Sequence, residues 1–208
     1  MGRYTGPSCR LCRRSGEKLF LKGDRCFSPK CAVERKSRPP GMVSQRRRRL
    51  SERGIQLREK QKVKWMYGIM EGQFHRLYET ARKRPGVTGQ YLLQLLERRL
   101  DNVVYRLGFA DSRKQARQLV THGHFTLNGK RMDIPSYIVK EGDTVTWRER
   151  STKNNFFQAM KDSSPPRPVP GWLNLDKGAF SGKVQNLPQP SDLDVKIEDR
   201  YIVEYYSR

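Results

Sequence analysis

Apolar residues between positions 63 and 81 fall at Val63, Met66, Tyr67, Met70, Phe74, Leu77, Tyr78 and Ala81, three and four apart. That spacing lies along one face of an α-helix. Gly68 and Gly72 interrupt the face, and glycine weakens a helix interior, so the stretch predicts two helices meeting at a bend. After Pro85-Gly86 a second row, Leu92, Leu96, Leu100, Val103 and Leu107, predicts a helix that stops at Gly108. A third opens on the capping box Ser112-x-x-Gln115 and runs through Ala116, Leu119 and Val120 to Gly123.

The period then shortens. Phe125-Thr126-Leu127 and Lys130-Arg131-Met132 flank Asn128-Gly129, a pair that adopts the left-handed angles of a type I′ hairpin turn. Tyr137-Ile138-Val139 and Thr144-Val145-Thr146-Trp147, joined by Glu141-Gly142-Asp143, predict further strand. The expectation is an α+β module with its helices on one side of a short, mainly antiparallel sheet. Beyond residue 150 the chain reads as loop-rich, with Pro165-Pro166-Arg167-Pro168-Val169-Pro170. At the other end, residues 1–44 are poor in aliphatic side chains and rich in Gly, Pro and Arg, too little to bury a core unaided.

Charge changes the picture. The chain carries a formal +22 on 208 residues, without an apolar run resembling a signal peptide or a membrane span. Residues 151–208 hold eight Lys/Arg against seven Asp/Glu, leaving 35 against 14 in residues 1–150. A polyanion therefore meets mainly the first three quarters. A membrane surface fits poorly, because no basic amphipathic helix shows an opposing Trp/Phe-rich face; nucleic acid fits well.

Four cysteines explain how the arm holds a shape. Cys9-x-x-Cys12 and Cys26-x₄-Cys31 form two short pairs with no cysteine left over. Two disulfides or four unrelated buried thiols are compatible with that count, but the paired spacing favours one tetrahedral, structural zinc ion. Four protein sulfurs leave no open coordination position, which argues against catalysis by the metal. Glu34 to Gly41 breaks any helix and leads to Arg46-Arg47-Arg48-Arg49, read as phosphate ligands rather than as a solvated linker.

Ser112-Arg113-Lys114-Gln115-Ala116-Arg117-Gln118-Leu119-Val120-Thr121-His122-Gly123-His124-Phe125-Thr126-Leu127-Asn128-Gly129 closely resembles the signature of the S-four RNA-binding module. The rest of the chain resembles the bacterial ribosomal protein S-four family from end to end. The resemblance is carried by Gly2 to Pro7, Leu21 to Cys26, Tyr67-Gly68-Ile69-Met70-Glu71-x-Gln73-Phe74, Leu96 to Gly108, and the tail Ile202 to Arg208. Many members have lost some or all of the four cysteines, so this chain resembles a zinc-retaining form. The resemblance implies a structural constituent of the small, 30S subunit in the cytoplasm, which binds 16S ribosomal RNA at a junction in the 5′ domain and nucleates assembly of the subunit body. It also implies contact with the S-five protein and with messenger RNA where it enters the subunit, a contribution to translational accuracy, and in some members repression of their own messenger. The expected division is a zinc-stapled arm over residues 1–44, a helical domain over 45–90 completed by 188–208, and an inserted S-four module with a loop-rich extension over 91–187.

The expected RNA contacts are Arg3, Arg10, Arg13, Arg14, Lys22, Arg35 and Lys36 of the arm, and Arg46, Arg47, Arg48 and Arg49 of the arginine run. Lys62, Lys83 and Arg84 follow on the helical region, then Arg113, Lys114, Arg117, Lys130 and Arg131 on the module. Arginine suits the task because its fork holds a phosphate bidentately. Tyr4, Phe27 and Tyr91 are of the kind that stacks on splayed bases, with core packing the plainer reading of any one. His75, His122 and His124 lie in no HExxH or nucleophile motif, and no P-loop or GxGxxG occurs. No small-molecule substrate is expected. The alternative is a stand-alone S-four-module RNA-binding or RNA-modification accessory protein; an RNA-modifying enzyme built on this module would need a further catalytic domain, for which residues 151–208 are too short and loop-like.

Overall fold

The computed structural model describes residues 2–36, 38–42, 49–162, 168–193 and 197–207, except for the Asp162 side chain. It divides into two compact units, Met1–Leu93 with Leu193–Arg208, and Gln94–Asp192. Arg46, Arg47, Arg48, the 44/45 boundary and Pro165 to Arg167 lie outside the described residues.

The first unit opens with the arm, where α1 (Ser8–Ser15) packs on the single turn α2 (Ala32–Arg35). Leu19, Leu21 and Cys12 make a small buried cluster there, flanked by Leu11, Val33 and Trp65. Two helices follow, α3 (Glu52–Met66) and α4 (Glu71–Arg82), separated by a bend at Gly68, whose φ of 64° is open to glycine at little cost. The apolar face then splits between them: Val63, Met66, Phe74, Tyr78 and Ala81 are all buried. Ser51 caps α3, its hydroxyl accepting from the Gly54 amide at 3.2 Å. The last helix, α9 (Asp199–Tyr206), packs along α3 and buries Ile202 completely.

The row from Leu92 to Leu107 is two helices, α5 (Thr88–Glu97), which runs across the boundary at 93/94, and α6 (Leu100–Arg106) of the second unit. The break follows from tertiary hydrogen bonds that outbid helix propensity: Val139 N–H donates to the Arg98 carbonyl at 2.9 Å, and the amides of Leu100 and Asp101 donate to the carbonyls of Tyr137 and Pro135. The same contacts explain why Tyr137-Ile138-Val139 is not a strand; Ile138 makes one isolated bridge to Arg99. Helix α7 (Arg113–Thr121) begins as expected, with the Ser112 hydroxyl accepting from the Gln115 amide at 3.3 Å. The Gln115 side chain, however, accepts from Asp111 N–H at 2.8 Å rather than from the cap residue itself.

The sheet is antiparallel throughout and larger than the sequence suggested. Its order is β2 (Lys130–Met132), β1 (Phe125–Leu127), β3 (Thr144–Trp147), β5 (Ser181–Val184), β4 (Leu173–Asp176). The β1–β2 hairpin turns on Asn128 and Gly129 with φ of 50° and 79°, both positive as a type I′ turn requires. β4 and β5 come from the segment read as loop, which also carries the helix α8 (Asn155–Asp162). The core lies between the sheet and α6–α7, where Leu100, Val103, Val104, Leu107, Ala116 and Val120 meet Phe125, Val145 and Val184.

Candidate nucleic-acid interface

The four cysteines come from three short elements. Cys9 and Cys12 lie on α1, Cys26 ends a 3₁₀ turn (Gly23–Cys26), and Cys31 is the residue before α2. All four line one cavity together with Leu21, Lys22, Arg25, Ala32 and Val33, and all four are free thiols. Burial pushes the Cys12 thiol up, the Leu19 backbone opposes this, and the other three cysteines add to it. Cys26 is likewise raised by burial; the Lys22 amide, 3.3 Å from its sulfur, works the other way, and Cys31 and Cys9 raise it further. As placed, no three His, Cys, Asp or Glu among the described residues are grouped tightly enough to hold a metal ion. The donor set still suits one closed-shell ion, since it is all sulfur and faces a single cavity.

The arm is tied to α3. Arg58 donates to the Ser15 carbonyl at 2.5 Å, and Lys62 pairs with Glu17 at 2.9 Å and with Glu59 at 3.4 Å. Lys62, expected on the RNA face, is thus buried within the unit. Arg13 is half-buried and donates to the carbonyls of Arg38 and Pro39 at 2.9 and 3.4 Å. By contrast Arg3, Arg10, Arg14, Lys22, Arg35, Lys36, Arg49, Lys83 and Arg84 are exposed.

On the second unit Lys130 and Arg131 are exposed at the hairpin, Arg131 reaching Asp133 at 3.5 Å, and Lys114 is half-buried. Arg113 and Arg117, expected as phosphate ligands at the start of α7, are each only 8% exposed. They belong to a charged network inside the unit. Arg99 grips Asp101 through two bonds of 3.0 and 2.8 Å, and Arg117 adds a third at 3.1 Å. Arg106 grips Glu97 through two of 2.9 and 2.8 Å. Asn102 joins the halves, donating to the Glu97 carboxylate at 2.7 Å while accepting from Arg113 at 2.8 Å. Arg113 also lies over the Tyr105 ring, 4.4 Å from its centre. Sequence reasoning missed Glu97, Asp101 and Asn102, because charged residues one or two apart read as a solvated helix edge; the interruption of the helix at Arg98-Arg99 turns them inward.

A second polar knot closes α9 onto α3 and α4. The Glu71 carboxylate accepts from Lys60 at 2.7 Å, Lys64 at 3.0 Å and the Tyr206 hydroxyl at 2.7 Å. Burial alone would raise its pKa, but these three donors overcome that and hold it at about 2. Burial and then the Glu71 carboxylate push the Tyr206 phenol well above its usual range. Lys60 lies over the rings of Tyr205 and Tyr206, 4.4 and 5.4 Å from their centres. Among the histidines, His124 Nδ1 stands 3.0 Å from the Ser151 hydroxyl, and His75 stands 3.9 Å from Glu79.

Two family models match the chain. The family described as the ribosomal protein S4/S9 N-terminal domain matches residues 3–97, and the S4 domain family matches residues 98–145. The chain is 56% identical to the small ribosomal subunit protein uS4 of Acetivibrio thermocellus and 57% identical to that of Geotalea daltonii. It is 52% identical to that of Dehalococcoides mccartyi, and each alignment spans the whole of both chains.

Proposed function

The chain belongs to the small ribosomal subunit protein uS4 family, and from that premise we propose that it is a structural, non-catalytic component of the small ribosomal subunit in the cytoplasm that binds 16S ribosomal RNA. The observation that carries this reading is full-length identity above one half to proteins of that name. The exposed basic side chains of the arm, helical region and hairpin supply the physical means. With Lys62, Arg113 and Arg117 turned inward and Arg13 engaged by the carbonyls of Arg38 and Pro39, the RNA contacts assigned to the chain are Arg3, Arg10, Arg14, Lys22, Arg35, Lys36, the run Arg46 to Arg49, Lys83, Arg84, Lys114, Lys130 and Arg131.

The finer reading is of a protein that joins the 5′ domain early, helps nucleate the subunit body, borders the S-five protein and the path of entering messenger, and supports accurate decoding. Repression of its own messenger belongs to the same reading. The arm is assigned one structural zinc ion held by Cys9, Cys12, Cys26 and Cys31. Support comes from the shared cavity and the all-sulfur donor set; binding would draw the thiols together and deprotonate them.

The test is the affinity of the full chain for the 16S 5′ domain against a plain hairpin of equal charge at physiological salt. The expected result is a clear preference for the folded junction, with log affinity falling steeply against log salt. Replacing Arg46 to Arg49 by alanine should flatten that slope by up to about 3 units. Equal affinity for both RNAs would reduce the chain to a non-specific polycation.

A further inference from the structure

Phe27 is 61% exposed, yet it is not a lone apolar side chain on a mobile tip. Its ring stacks on Phe20 with centroids 5.2 Å apart and planes 24° apart. The loop that carries it is braced by its own hydrogen bonds. Phe27 N–H donates to the Asp24 carbonyl at 3.0 Å, the Ser28 hydroxyl to the Arg25 carbonyl at 3.1 Å, and Lys30 N–H back to that hydroxyl at 3.3 Å. Cys31 N–H closes the turn on the Ser28 carbonyl at 3.0 Å. On the other side Phe20 sits at φ 50°, a left-handed conformation that a bulky side chain adopts only when its surroundings impose it. Both rings are therefore held where they are, and a large part of Phe27 faces solvent.

The chemistry around the pair selects the occupant. Lys22, Arg25 and Lys30, all exposed, stand within five residues of Phe27 along the same loop. An apolar side chain from a protein neighbour gains nothing from three cations. A nucleotide gains from both, since every base offers a π-face to stack and every phosphate a charge to neutralise. We propose that Phe27, backed by Phe20, is a stacking platform for an unpaired RNA base whose flanking phosphates are taken by Lys22, Arg25 and Lys30. The proposal rests on the ribosomal RNA-binding reading and adds to it a residue that engages a base rather than the backbone.

The experiment uses the full chain and the 16S 5′-domain RNA, with affinity measured across salt for the unsubstituted protein, Phe27→Leu and Phe27→Tyr, and with ultraviolet crosslinks mapped by mass spectrometry. Loss of one stacked base predicts that Phe27→Leu weakens binding roughly five- to a hundredfold. The salt slope should stay unchanged, because no charge is removed, and Phe27→Tyr should bind as the unsubstituted chain does. A crosslink should fall on Phe27. Phe27→Leu binding as tightly as the parent would overturn the platform while leaving the ribosomal reading intact. A flattened slope, failure of tyrosine to restore binding, or protection of Phe27 only after a protein neighbour is added would equally overturn it. Failure of the unsubstituted chain to prefer this RNA over a hairpin would instead bring down the ribosomal reading, and the platform with it.

Discussion

The side chain of Leu107 occupies the space beside Gly182 where a β-carbon would stand. Leu107 is 1% exposed and packed in the main core of the second unit, so it has nowhere to retreat. Gly182 sits on β5 opposite Val145 and Leu175, and its missing side chain is what lets α6 press on the sheet. Gly182→Ala should therefore cost about 1–3 kcal/mol by overpacking, and Leu107→Ala about 2–5 kcal/mol by opening a cavity. The two changes together should cost less than their sum, because each relieves the other. Urea denaturation of the three variants gives the coupling directly, and strict additivity would show that the contact is not the reason for the glycine.

Removing one partner from the buried network should be far more damaging than its charge count suggests. Asp101→Asn leaves Arg99 and Arg117 without their carboxylate in the interior, a loss of about 3–5 kcal/mol. Thermal unfolding of this variant should show a fall in Tm without any change to an RNA-facing side chain. An Arg113→Ala, Arg117→Ala double variant should fall similarly, so any drop in its RNA affinity has to be judged on the fraction still folded. A Tm equal to the parent's would mean the network is not a unit.

Acid should act through Glu71. Its pKa in the folded protein lies below its unfolded value, so its contribution is complete above the usual carboxylate pKa and is lost as pH falls toward about 2. Glu71 keeps nearly half its side-chain surface exposed, and solvent screening limits the effect to about 1 kcal/mol. Glu71→Gln should thus be less stable than the parent at pH 6, with the gap narrowing between pH 4.5 and about 2. A gap independent of pH would assign the loss to packing.

Zinc should be stoichiometric in freshly purified, reduced protein. Cys26→Ser should release it and loosen the arm while leaving the second unit folded, since residues 1–44 have little core besides Leu19 and Leu21. Metal analysis together with limited proteolysis separates this from four ordinary thiols, which would bind no zinc in either form.

Much of the fold is legible in residue order. The period-3.6 stripe from Val63 to Ala81, the glycine at its bend, the Ser112 cap and the Asn128-Gly129 turn are local signals, and each sits where its chemistry places it. What escaped is non-local. Arg98 and Arg99 read as mid-helix residues, yet backbone bonds from residues 137–139 straighten them. β4 and β5 are four residues each and depend on distant partners: β5 pairs with β3, and β4 pairs only with β5. Arg113 and Arg117 looked like a basic helix face because the acceptors that claim them, the Asn102 carboxamide and the Asp101 carboxylate, lie 11 and 16 residues upstream on a different helix.

α9 gives the chain an order of completion. A polypeptide is made from its N-terminus, so every strand and helix of Gln94–Asp192 has been synthesised before Asp199–Tyr206. Until then α3 and α4 lack Ile202 and Tyr206, and Lys60 lacks the rings it lies over. The interior of the sequence thus has all its own elements without α9, while its beginning waits for its end. A chain truncated after residue 195 and released would resist protease across the sheet and yield to it along α3.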